Sequence, residues 1–136
     1  MAMTRGVRDG VTAAKFDGVI LIAHGARDAR WLEPFTRLSA DLSSKLGPCK
    51  VVLSFMEFAP PSLADAALEL DRAGAARVLV VPIFLSGGGH VTQDIPALVA
   101  TERARYPHVT FEVAGALGEE PEVTAAMAAA IMRLAS

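Results

Sequence analysis

The chain has 136 residues, 13 basic and 15 acidic side chains, a net charge of −2 and an apolar fraction of 52%. That is the size of one domain, able to bury roughly two-thirds of its unfolded surface without a disulfide or structural metal. It is too apolar for a disordered chain and too nearly neutral for a polyanion-binding one, so no nucleic-acid partner is expected.

Apolar runs such as Val19–Ala23 and Val78–Leu85 fall far short of the ~20 residues a membrane helix needs, so no membrane partner is expected either. Residues 1–16 carry charges and glycines but no apolar stretch of signal-peptide length, and read as a loose leader to a single domain over 17–136. The single cysteine, Cys49, excludes an internal disulfide and a cysteine-rich zinc site. It reads as a buried or bystander thiol, in a reducing, cytoplasmic compartment.

From Asp17 onward, short apolar runs alternate with helical periodicities. Val19–Ala23 is a continuous apolar run, as in a strand buried on both faces. Trp31, Phe35, Leu38, Leu42 and Leu46 then recur at spacings of three and four, and Gly47-Pro48 stops that helix. Val51–Phe55 reads as a second strand. Pro60-Pro61-Ser62 opens a second helix with Leu63, Ala66, Ala67 and Leu70 inward, and Ser62 with Asp65 resembles a capping box.

Arg77–Phe84 is the third strand, with Pro82 marking where ladder pairing fades. A glycine loop, Ser86–Gly89, leads to His90. A third helix follows over about Asp94–Tyr106, with Ile95, Leu98 and Val99 inward. Val109–Val113 is a fourth strand, and Glu120–Leu134 a last helix with Val123, Met127, Ile131 and Leu134 on one stripe. Strict alternation implies an α/β three-layer sandwich, a four-stranded parallel sheet in the order 2-1-3-4 with helices on both faces.

In such sheets ligands bind beyond the carboxyl ends of the strands, near the point where strand order reverses. The first strand ends in Ala23-His24-Gly25, the second in Met56-Glu57-Phe58, and the third in the loop that reaches His90. Two imidazoles and a carboxylate therefore leave one edge from three adjacent strands, a donor set suited to divalent first-row metals. A lone histidine at a strand end is more often only a satisfied polar residue, and a lone Glu57 a solvated acid. It is the convergence that points to a metal. His108 falls at the opposite edge and reads as exposed and inert.

Gly87-Gly88-Gly89 lacks the Lys and Ser/Thr of a P-loop, and no GxGxxG follows the first strand. Glycine there lets backbone approach a large flat ligand, or lets the loop move. Arg27 and Arg30 read as solvated loop charges or, beside a metal site, as forks for a carboxylate-rich substrate.

These residues resemble a family. Ile22-Ala23-His24-Gly25-Ala26-Arg27-Asp28 is similar to the opening motif of the CbiX-type sirohydrochlorin chelatases, with Ala26 where that family usually has serine. Glu57-Phe58-Ala59-Pro60-Pro61-Ser62-Leu63 resembles their second motif. Val81–Leu85 with Gly89-His90-Val91 and Asp94-Ile95-Pro96 resembles their third. The resemblance implies insertion of Co²⁺ or Fe²⁺, with Ni²⁺ a further candidate, into sirohydrochlorin on the route to cobalamin or sirohaem.

It carries the family's metal-binding and catalytic histidines to His24 and His90 and its acidic partner to Glu57. The metal is substrate and no organic cofactor is implied. Glu57 has three roles open to it: orienting a histidine, ligating the metal or accepting a proton. Arg27, Arg30, Gly88 and Gly89 would face the tetrapyrrole. Longer members have two such lobes, so one lobe implies a symmetric homodimer.

Two other readings compete. A histidine phosphatase needs arginine immediately before the histidine, and Ala23 stands there. A non-catalytic metal or tetrapyrrole carrier of the same fold would keep these residues, and differs in failing to insert metal.

Overall fold

The computed structural model describes residues 15–136; the first fourteen residues of the expected leader lie outside the described residues. Four strands, β1 (Gly18–Ala23), β2 (Lys50–Phe55), β3 (Arg77–Pro82) and β4 (Thr110–Val113), form one parallel sheet in the order β2-β1-β3-β4. The helices are α1 (Glu33–Lys45), α2 (Leu63–Arg72), α3 (Ile95–Arg105) and α4 (Pro121–Ala135). Strand order and helix sequence agree with the alternation in the chain. Among the described residues, no helix is long and apolar enough to cross a membrane.

The pleat sorts β1 between two cores. Ile20 and Ile22 join Val78 and Val80 of β3 on the face covered by α2 and α3, with Leu63, Ala66, Ala67 and Leu70 buried beneath α2 as expected. Val19 and Leu21 point to the other face, where Leu38, Leu42 and Leu46 pack against them and Cys49 is buried. Burial pushes the Cys49 thiol up, with the Asp17 carboxylate adding to the effect. Asp17 is held below the usual carboxylate range because it accepts backbone hydrogen bonds from Ala76 and Arg77, tying the entry of β1 to that of β3. The capping box forms: Ser62 Oγ accepts from Asp65 N and Asp65 accepts from Ser62 N.

Several sequence expectations are corrected. Trp31 is 70% exposed and belongs to a short 3₁₀ turn over Ala29–Leu32, not to the core stripe. Pro34 explains this, because proline is favoured in the first turn of a helix, so α1 starts at Glu33. Leu98 is 41% exposed rather than inward. β3 ends at Pro82, which has no N–H to continue the ladder, rather than at Phe84. Residues His90–Asp94 form a π-helical turn before α3. The apolar stripe of α4 is present, yet no α4 residue is buried. His108 is exposed, as expected, and hydrogen-bonds Asp71 Oδ1 through Nε2 at 2.6 Å.

Candidate functional site

The parallel register sets Ala23 beside Phe55 and Ile22 beside Pro82, so all three chains leave the sheet at one level. Pairing between the first two continues past the strands: Met56 N donates to Ala23 O at 2.9 Å and Glu57 N to His24 O at 3.1 Å. This extension carries Glu57 alongside His24. Gly25 makes it possible, since at φ +102 it adopts a conformation side chains rarely tolerate, and a Cβ there would overlap the Glu57 carbonyl oxygen.

As a result His24 Nδ1 stands 3.8 Å from Glu57 Oε1, with both side chains about half exposed. The imidazole also meets the Phe84 ring edge-on, with centroids 6.4 Å apart. The structure therefore brings together two of the three expected metal residues. Among the described residues, no group of three His, Cys, Asp or Glu side chains is placed to hold an ion. His90 opens the π-helical turn after the glycine loop, and its side chain lies outside the described residues.

A cleft of about 500 Å³ opens beside His24, lined by Gly25, Ala26, Arg27, Asp28, Trp31 and Phe58. The two candidate arginines differ within this region. Arg27 lies 4.6 Å above the Phe58 ring, a cation–π stack, and makes no ion pair among the described residues. Arg30 is clamped by Asp28, with Nη2–Oδ2 at 2.7 Å and Nε–Oδ1 at 3.1 Å. That fork holds the Asp28 carboxyl below its ordinary range and raises Arg30.

Gly88 O accepts from Val91 N, Thr92 N and Thr92 Oγ1, which anchors the start of the π-helical turn. A Cβ at Gly88 or Gly89 would meet nothing within 4 Å, so that backbone is open to a flat ligand. Gly87 is held differently: its N–H donates to Glu119 Oε2 at 3.1 Å.

Three residues at this edge escaped sequence reasoning. Phe58 was legible only as part of a motif, although an aromatic directly after a strand-end acid falls at the rim by construction; its φ of +70 turns it into the cleft. Trp31 fits the helical stripe by spacing, which hides its place at the cleft. Glu119 carries no local signal, because its partner Gly87 is remote in sequence.

Residues 18–134 match the model of the CbiX family. The sirohydrochlorin cobaltochelatase of Methanococcoides burtonii is 30% identical over 82 residues, covering 60% of this chain and 63% of the relative. The chloroplastic sirohydrochlorin ferrochelatase of Arabidopsis thaliana is 34% identical over 115 residues, covering 82% of this chain and 49% of the relative. A crystal structure of a putative cobalamin biosynthesis CbiX protein from Marinobacter aquaeolei superposes with a TM-score of 0.76 at 31% identity, covering 85% of this chain and 94% of that one. The chain thus spans from about half to under two-thirds of the length of the curated relatives it first matches. With the family's model matched across nearly the whole described fold, the chain belongs to the CbiX family.

Proposed function

We propose that this chain is a sirohydrochlorin chelatase that inserts a divalent metal ion, Co²⁺ or Fe²⁺, into the tetrapyrrole. The observation that carries the reading is the 3.8 Å between His24 Nδ1 and Glu57 Oε1. That distance is too long for a hydrogen bond. It lies within the ~4.2 Å that two ligands can span when each bonds one ion at about 2.1 Å. Relatives of this chain carry both cobaltochelatase and ferrochelatase names, which supports a site whose imidazole and carboxylate suit either metal.

Insertion exchanges one M²⁺ for two pyrrole N–H protons, so the site needs donors that release an ion and bases that collect protons. An imidazole does both near neutral pH. In this reading His24 and Glu57 present the ion at the carboxyl edge, and His90, from the loop after β3, supplies the second imidazole. Glu57 takes up a proton as the ion leaves it. The guanidinium of Arg27, stacked on Phe58 and without an ion pair among the described residues, meets a substrate carboxylate, with Gly88 and Gly89 beneath the macrocycle and Arg30 at the rim. The reaction is assigned to the cytoplasm.

Four strands about 4.8 Å apart give an edge roughly 15 Å wide, comparable with the macrocycle. One lobe then covers one face of the disc and leaves the other in water, where the ligand contacts are weaker. A symmetric homodimer closes the second face and sets two His24–Glu57 pairs across one cleft. Single-turnover insertion of Co²⁺ into sirohydrochlorin, followed by the absorbance change of the macrocycle, tests the proposal. Metal uptake with no insertion would replace it with the carrier reading.

A further inference from the structure

The three residues expected to hold the metal at the carboxyl edge are not supported alike. His24 and Glu57 sit on a continuing ladder, in which Met56 N donates to Ala23 O and Glu57 N to His24 O. The third strand offers no such extension. β3 ends at Pro82, and its side of the pairing closes with Ile83 N donating to Ile22 O at 2.8 Å. Residues 83–89 then run to the π-helical turn that His90 opens, and the last three of them are glycines. Glycine loses more conformational freedom on ordering than any other residue, so such a stretch keeps one shape only if something outside it holds it.

Two contacts do so, both from the 3₁₀ turn Leu117–Glu119 between β4 and α4. Gly118 N donates to Phe84 O at 2.9 Å, and the backbones lie so close that a Cβ on Gly118 would stand 2.3 Å from Leu85 O. Further along, Gly87 N donates to Glu119 Oε2 at 3.1 Å. Among the described residues, no other side chain hydrogen-bonds residues 85–87. Glu119 is itself anchored, because its N–H donates to the carbonyl of fully buried Ala116 at 3.0 Å. On the far side of the loop, Gly88 O accepts from Val91 N and Thr92 N, the first bonds of the π-helical turn. One bonded path therefore runs from the Glu119 carboxylate through the Gly87 amide and the Gly88 carbonyl to the turn that begins at residue 90.

We propose that Glu119 is a positioning residue of the metal site: by holding the Gly87 N–H it fixes the loop that carries His90, and with it the place of residue 90 relative to His24 and Glu57. The inference rests on the reading of His90 as the second imidazole. A carboxylate suits this task, because an ionised acceptor bonds a backbone N–H more strongly than a neutral one does. Accuracy matters here, since a ligand set works only when held within about 0.5 Å of its productive geometry. Glu119 acts through the loop and does not bond the ion.

Titration of the full chain with Co²⁺ alone, by calorimetry and by the visible absorption of the bound ion, tests this. E119A is expected to lose about tenfold in Co²⁺ affinity, the usual cost of removing an outer partner of a metal ligand, and its absorption band to move toward that of H90A. E119Q, whose amide oxygen still accepts from Gly87 N, is expected to stay within about threefold of wild type. Glu119 is exposed, so neither substitution touches the core. In an H90A background E119A is expected to change nothing further, because its effect passes through residue 90. Wild-type affinity in E119A beside a weakened H90A overturns the positioning role alone. An E119A loss that persists undiminished in the H90A background does the same. So does an E119Q as weak as E119A, since charge rather than the hydrogen bond would then be acting. An H90A that binds Co²⁺ as wild type does overturns the reading of His90, and the positioning role with it.

Discussion

His24 and Glu57 meet because two parallel strands keep pairing beyond the sheet, as far as His24 on one and Glu57 on the other. His24 O accepts from Glu57 N, and their side chains then stand 3.8 Å apart on the same side. The relationship is set by backbone, so substitutions of the two side chains can separate their tasks. H24A is expected to weaken Co²⁺ binding by at least about tenfold, since a ligand is lost. E57Q keeps shape and an oxygen donor but loses charge and basicity. Its insertion rate should fall by more than its metal affinity, read by single-turnover absorbance and calorimetric titration. Equal losses would remove the proton-transfer role from Glu57.

The same backbone approach makes Gly25 and Gly74 an informative pair. Both have positive φ, +102 and +84, but a Cβ at Gly25 overlaps the Glu57 carbonyl whereas one at Gly74 meets nothing within 4 Å. G74A should therefore cost about 1 kcal/mol of stability, the strain of the backbone alone. G25A adds the displacement of Glu57 and should cost roughly 3 kcal/mol, with loss of metal binding. Urea midpoints of the two variants check this. Equal midpoints would mean that the β1–β2 extension yields freely.

How much of this was legible in the sequence follows from range. The strand order, the inward residues of α2 and the Ser62–Asp65 cap all rest on local periodicity and on a topology rule that leaves few alternatives. The convergence of His24 with Glu57 needed only the prior that neighbouring strands end together. Trp31 was misread because its spacing to Phe35 fits a helix, and only Pro34 tells that the helix begins later. Leu98 and the α4 stripe show the other shortfall. An apolar side chain reports that something should cover it, not whether its own sheet does. The Glu119–Gly87 contact had no signal at all, since one carboxylate among several acids in that segment looks like any other.

Asp17 gives the fold a dependence on acid. Its carboxylate accepts from Ala76 N and Arg77 N, which lowers its pKa from the usual value of 3.8. A depressed carboxylate stabilises the folded state fully above its unfolded pKa and loses that contribution as pH falls through the folded one. The wild type should thus lose stability as pH falls below about 4, and D17A should lose less over the same interval. At neutral pH D17A should be less stable by on the order of 1 kcal/mol, having left two strand-entry amides without their acceptor. Thermal unfolding at pH 7 and pH 3 makes the comparison. Parallel pH curves for the two proteins would contradict the assignment.

Arg27 and Arg30 sit three residues apart and should behave differently toward a carboxylate-bearing substrate. The Arg30 guanidinium already forks onto Asp28, so engaging a substrate would mean breaking that pair. The Arg27 guanidinium rests over the Phe58 ring at the cleft and makes no ion pair among the described residues, so it can meet a substrate carboxylate without breaking one. R27A should raise KM for sirohydrochlorin by about tenfold with little change in kcat, as expected when a contact made equally in ground and transition states is lost. R30A should move KM by less than about twofold, because the pair it removes is a solvent-exposed one. F58L tests the platform: it keeps Arg27 but removes the π face, and should give a KM between wild type and R27A. Because an exposed guanidinium is screened by salt, the R27A penalty should shrink as ionic strength rises from 50 to 500 mM, over which the Debye length falls from roughly 14 Å to roughly 4 Å. A KM effect carried by Arg30, or an R27A effect that appears only in kcat, would place the substrate carboxylates elsewhere on the rim.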